Sequence, residues 1–191
     1  MIVAEPLISV REVPFPHAVS RQLISSDLAD RVLAWFEDGA PWGLRIESFY
    51  EQYELNLHQV DLPENLTHLI SEEAIGQIQQ MLAPLTTGTL TLVEANAHKL
   101  LPGQTIKIHN DYIGSEETHR VLIQLNRHWS DDNGGMLMLF SSPNAADVAR
   151  LVRPIHRSAT AFEISPASFH AVSTIWSGER YTLVYSFKRA D

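Results

Sequence analysis

The chain has 191 residues, 45% hydrophobic and 19% charged, with 14 Lys+Arg against 23 Asp+Glu, a formal charge of −9 and no cysteine. Zero Cys excludes a disulfide scaffold, a thiolate-held zinc or iron–sulfur site and a thiol nucleophile, so any metal must sit on His, Asp or Glu. The acidity argues against docking on nucleic acid or anionic lipid, which needs clustered Lys and Arg, and the length suits one domain with an unstapled core.

Met1 to Val13 shows no basic segment followed by an apolar run, and no stretch approaches the roughly 18 apolar residues of a membrane span. The expectation is a cytoplasmic protein with neither a membrane nor a nucleic-acid partner. Ser25 and Ser26 are N-cap residues ahead of Asp27 to Glu37, where Leu28, Val32 and Trp35/Phe36 recur at helical spacing. Asp38-Gly39 and the Pro41-Trp42-Gly43 run stop that helix. A second helix is expected over Ser71 to Leu82, with Glu72 and Glu73 in the first turn, where the helix dipole favours negative charge.

After Gly88 the pattern changes to short strands separated by turn residues. Candidates are Thr89–Lys99, Thr105–His109, His119–Leu125, Met136–Phe140, Thr160–Ile164, His170–Trp176 and Arg180–Phe187. This predicts a mostly β, α+β chain: one domain over residues 1–191, with helical support in 1–87 and a β-sandwich or jelly-roll core in 88–191. The last strand is the most informative. Tyr181, Leu183, Tyr185 and Phe187 form an apolar face suited to packing on the helices, which turns Arg180, Thr182, Val184 and Ser186 into the barrel. Polar groups placed there are costly unless they serve a ligand.

Three residues could bind a metal. His109 and Asp111 are separated by one position where a strand meets a loop, so both side chains can reach one ion. His-x-Asp alone is a common chance match in a chain with 9 His. His170, opening a later apolar strand, completes the two-His, one-carboxylate set that holds Fe(II) with coordination positions left open. Arg180, with Thr182 on the same face, adds a guanidinium inside the barrel, which needs an anion.

His109-x-Asp111, His170 and Arg180-x-Thr182, in that order, resemble the Fe(II)/2-oxoglutarate-dependent dioxygenases, in particular the branch similar to prolyl 4-hydroxylases. The resemblance spans Leu90 to Lys188 and includes Leu101-Pro102-Gly103, Arg120 to Asn126, Gly134-Gly135 and Phe169 to Tyr181. It implies a double-stranded β-helix in which His109, Asp111 and His170 bind Fe(II) as the catalytic centre while Arg180 and Thr182 hold the distal carboxylate of 2-oxoglutarate. It also implies O2 as co-substrate, with hydroxylation of an aliphatic carbon of an amino acid, peptide or small metabolite. Halogenases of the superfamily lack the carboxylate that Asp111 provides, which favours hydroxylation. A prolyl hydroxylase is the alternative within the class, and a cupin-like metal-binding protein or isomerase the alternative outside it.

Geometry adds a requirement. A plain hairpin closed at Ser177-Gly178 would leave His170 about 20 Å from the level of Arg180. The two strands must therefore lie in different sheets, with the chain crossing at Ser177–Glu179. Where related sequences carry a tyrosine before the Pro-Gly turn, this chain has Asn96 to Leu100, making Asn96, His98 and Gln124 candidates for a second 2-oxoglutarate contact. Tyr112 to His119, Arg127 to Trp129 and parts of Trp42 to Tyr53 are candidate substrate loops, with Arg120 and Arg127 available for a carboxylate and Glu116 and Glu117 for a cation.

Overall fold

The computed structural model describes residues 8–114 and 116–190. Among the described residues there are twelve strands: β1 (Ile8–Arg11), β2 (His17–Ser20), β3 (Gly43–Ile46), β4 (Glu51–Asn56), β5 (Leu90–Leu100), β6 (Ile106–His109), β7 (His119–Gln124), β8 (Leu137–Phe140), β9 (Val148–Val152), β10 (Ala159–Glu163), β11 (His170–Val172) and β12 (Arg180–Arg189). The α-helices are α1 (Ser26–Asp38) and α2 (Glu72–Leu82). Eight strands form a major sheet in the order β1-β2-β10-β7-β12-β5-β4-β3, and four form a minor sheet in the order β6-β11-β8-β9. The registered pairings are antiparallel.

Both helices start where the caps place them. The Ser25 and Ser71 hydroxyls accept from the backbone N–H groups of Leu28 and Ala74, satisfying one orphan donor at each N-terminus. The helices cover the outer face of the major sheet. Leu28, Val32, Leu33 and Phe36 of α1 and Ile78, Met81 and Leu82 of α2 share one core with Tyr181, Leu183, Tyr185 and Phe187 of β12. Phe36 stacks on Tyr181 with ring centroids 5.7 Å apart, and the Tyr185 hydroxyl donates to the Leu69 carbonyl at 3.1 Å. The apolar face of β12 therefore packs as its alternation predicts. A second core, including Phe15, Leu137, Leu139, Phe162 and Ile175, fills one end between the sheets.

Residues before 88 are not only helical. β1 and β2 extend one edge of the major sheet and β3 and β4 the other, so this part supplies half of that sheet's strands as well as the helices. Their signals are weak for a physical reason: β1 and β3 are four-residue edge strands with mostly exposed side chains and no burial alternation. The expected strand over His170–Trp176 ends at Val172. Beyond it the chain turns toward the glycine pair, with Ile175 bridging Gly134. β11 and β12 lie in different sheets, which meets the geometric requirement set by His170 and Arg180.

Candidate active site

His109 ends β6 and faces His170 of β11 in register, so two imidazoles from neighbouring strands meet with ring centroids 4.2 Å apart. The His109 Nδ1 lies 2.8 Å from the Lys107 carbonyl and the His170 Nδ1 lies 2.8 Å from the Ser168 carbonyl. A carbonyl only accepts, so each Nδ1 carries the proton and each Nε2 presents a free lone pair. Both Nε2 atoms point at Asp111, 3.3 Å (His109) and 3.1 Å (His170) from its carboxylate oxygens. The three donor atoms lie within 4.8 Å of one another.

Asp111 is not on the strand. It sits just past β6 in the left-handed region, φ 57°, a conformation Asp tolerates better than most residues. Asn110 holds this bend in place. Its Nδ2 donates to the Pro166 carbonyl at 3.1 Å, its Oδ1 accepts from the Tyr112 N–H at 3.1 Å, and its carbonyl accepts from the Ser168 hydroxyl at 2.9 Å. The loop carrying Asp111 is thereby tied to the turn that precedes His170. Arg120 of β7 reaches the same carboxylate, 2.5 Å from Asp111 Oδ2, while its other amino group meets Glu117 at 2.6 Å. Burial alone would raise the Asp111 carboxyl, but the Arg120 charge beside it holds it well below the usual carboxylate range. Burial holds His170 below its ordinary value, so both groups are in the protonation state a metal ligand requires.

Arg180 opens β12 with 3% exposure. Its Nε donates to the Gly135 carbonyl at 3.0 Å and Nη1 to the Thr182 hydroxyl at 2.8 Å; Thr182 in turn donates to Gln124 at 3.1 Å. Desolvation pulls the guanidinium down to about 10, still cationic at neutral pH. Among the described residues it has no carboxylate partner, although it lines the same cavity as His109, Asp111 and His170. That cavity has a volume of about 310 Å³, and Leu122, Leu137, Val172 and Val184 make part of its wall.

Other expected contacts are distributed differently. Asn96 and His98 line the cavity, whereas Gln124 stands behind Thr182 and supports it. Arg127 pairs with Asp30 and borders a separate depression, and Trp129 donates to the Gly134 carbonyl at 2.9 Å, so the 127–129 loop lies away from the site. Arg120 is tied to Asp111 and Glu117. Sequence reasoning did not assign Asn110 or Gly135. The left-handed Gly134-Gly135 pair, φ 71° and 67°, was a legible signal that backbone passes close to another group there.

Two imidazoles and a carboxylate converging inside a two-sheet antiparallel β architecture, beside an unpaired guanidinium, define a metal-centre class of β protein. Residues 95–187 match the family model described as the 2OG-Fe(II) oxygenase superfamily, and together with the His-Asp-His donor set this match supports a 2-oxoglutarate-dependent dioxygenase that uses Fe(II), 2-oxoglutarate and O2. No curated protein matches the chain. Similar solved structures include a prolyl-4-hydroxylase from Pseudomonas putida, with a TM-score of 0.70, 19% identity and coverage of 92% of this chain and 93% of that one. A prolyl hydroxylase from Trichoplax adhaerens, in complex with a hypoxia inducible factor oxygen degradation domain peptide fragment, gives 0.68, 16%, 91% and 83%. The viral collagen prolyl hydroxylase of Paramecium Bursaria Chlorella virus-1 gives 0.60, 13%, 87% and 92%. At these identities the likeness concerns the fold.

Proposed function

We propose that His109, Asp111 and His170 hold Fe(II), that Arg180 and Thr182 hold the distal carboxylate of 2-oxoglutarate, and that the chain hydroxylates an aliphatic C–H of an amino acid, peptide or related small metabolite. The observation that carries this reading is Arg180, a buried guanidinium without a protein anion that faces the cavity of the metal-type donors. A carboxylate from a dicarboxylic acid is the partner its planar fork fits. The donor set also fits: two Nε2 atoms and one carboxylate are the ligands Fe(II) takes.

When bound, the metal supplies O2 activation, in the balance R–H + O2 + 2-oxoglutarate → R–OH + succinate + CO2. The chain's own residues do the rest. Arg180 and Thr182 fix one end of the co-substrate, Arg120 and the Asn110 bend orient the Asp111 carboxylate, and the apolar wall excludes water. The two sheets are read as a double-stranded β-helix, and the whole chain as one domain. A cupin-like protein without 2-oxoglutarate would be expected to pair Arg180 with a protein carboxylate. A prolyl hydroxylase remains the second reading, favoured by the fold neighbours. Succinate release from 2-oxoglutarate should require Fe(II) and be lost in His170→Ala and Arg180→Ala; release that persists in both variants would contradict the assignment.

A further inference from the structure

The cavity has one polar wall besides the three metal-type donors and the Arg180–Thr182 pair. β5 presents Glu94, Asn96 and His98 on one face and β4 presents Gln52 and Glu54, and all five line the cavity. Two acceptor atoms on this wall have no donor, and Arg45, the cation beside it in the cavity lining, is taken up by Glu47 and Glu54. Gln52 is 2% exposed; its Nε2 donates to Glu54 at 3.2 Å, which turns its Oε1 away from that carboxylate, and the Oε1 is buried with no partner. The Asn96 Oδ1 is likewise buried and unpartnered. Glu94 accepts one neutral N–H, from Asn56 Nδ2 at 3.2 Å. Among the described residues no ion pair involves Glu94, whereas Arg45 serves Glu54 and Arg120 serves Asp111 and Glu117.

A buried acceptor without a donor is costly, and sites keep such atoms where a ligand supplies the hydrogen. We propose that this wall is the specificity subsite for a substrate bearing a protonated nitrogen at the end of an aliphatic chain, that is, a basic amino-acid side chain. This rests on the Fe(II)/2-oxoglutarate reading of the cavity and names its substrate class. Three acceptors, one of them charged, call for several N–H donors on a cation, which an ammonium or guanidinium provides. A peptidyl proline nitrogen carries no hydrogen and would leave all three unmet.

The spacing agrees. Glu94 and Arg120 both pair with Ser186, so they stand on one row two strand intervals apart, about 10 Å. Arg120 holds Asp111, so a cation seated at Glu94 leaves room for several methylenes between it and the metal donors. His98, on the same wall, is pushed down to about 3 by burial and by the Arg120 and Arg180 charges, so it adds no positive charge to compete.

The test is an anaerobic binding titration of the protein with Fe(II) and 2-oxoglutarate, repeated on the metal-free protein, using L-lysine, L-arginine, L-norleucine and a blocked prolyl tripeptide. The visible charge-transfer band of the iron complex reports the cofactor reading separately from ligand binding. The cation subsite predicts lysine or arginine binding at least about tenfold tighter than norleucine. Glu94→Gln and Gln52→Leu should each reduce that preference while leaving the band intact. Norleucine or the prolyl peptide binding as tightly as both basic amino acids in wild type overturns the subsite, whether or not the band forms or either variant folds.

Discussion

Gly135→Ala is a sharp probe of how Arg180 is held. Gly135 has φ +67°, and a Cβ added there would lie 2.8 Å from Ile175 Cδ1, 2.9 Å from Arg180 Cδ and 3.1 Å from Trp129 Cζ2. The left-handed conformation costs an alanine about 1–2 kcal/mol of stability. The contacts do more. Arg180 cannot keep both its Nε bond to the Gly135 carbonyl and its present side-chain path, so the fork must shift. Losing one charge-assisted hydrogen bond to the co-substrate carboxylate costs about 1.5–3 kcal/mol, a weakening of about tenfold to a hundredfold in the dissociation constant. Calorimetric titration of 2-oxoglutarate into the anaerobic Fe(II) protein should show that loss with Fe(II) affinity unchanged. A folded Gly135→Ala protein that binds 2-oxoglutarate as tightly as wild type would refute the role assigned to this contact. Gly134 is the contrast. A Cβ there would lie 2.0 Å from the Thr174 carbonyl oxygen, a backbone atom, so Gly134→Ala should impair folding itself.

Phe36→Ala should lower unfolding free energy by about 3–5 kcal/mol in urea titration, because a 1%-exposed ring stacked on Tyr181 and packed against Trp42 is removed; a loss under 1 kcal/mol would contradict the packing account. Arg120→Met leaves Asp111 and Glu117 without their shared cation. It should destabilise the metal-free protein by about 3–5 kcal/mol, with part of that recovered on adding Fe(II); equal losses with and without metal would argue against a shared role at Asp111. The metal-free protein should also lose stability as pH falls below neutral. His119 is pushed down to about 4 by burial and the Arg189 charge, and His98 to about 3 mainly by burial. Both stay neutral when folded but take up protons near 6.5 when unfolded, so stability is full above that value. It declines as pH falls toward the folded values, by at most about 1.4 kcal/mol per pH unit for each. A urea midpoint that is flat between pH 7 and pH 5 would contradict this.

The parts of the fold legible in the sequence are those where local chemistry and packing agree. Ser25 and Ser71 announced their helices, and the alternation along Arg180 to Phe187 announced which face meets the helices and which meets the cavity. The ladder of Asn96, His98 and Glu94 was harder to read, because polar residues on a strand signal solvent unless a second sheet covers them. β9 and the edge strands β1 and β3 escaped notice because exposed, short strands are held by backbone pairing, which leaves little pattern in side chains. At the site, the donor types and their order were readable. The left-handed bend at Asp111, its clamp by Asn110 and its ion pair with Arg120 depend on loops meeting across 56 and 9 residues, which spacing alone does not reveal.

Anaerobic addition of Fe(II) and 2-oxoglutarate, read as the charge-transfer band in the visible region, tests the cofactor assignment most directly. The account predicts a band in wild type that disappears in Asp111→Ala and, at matched 2-oxoglutarate, weakens sharply in Arg180→Ala. No band in wild type, or a band unchanged in both folded variants, would contradict it.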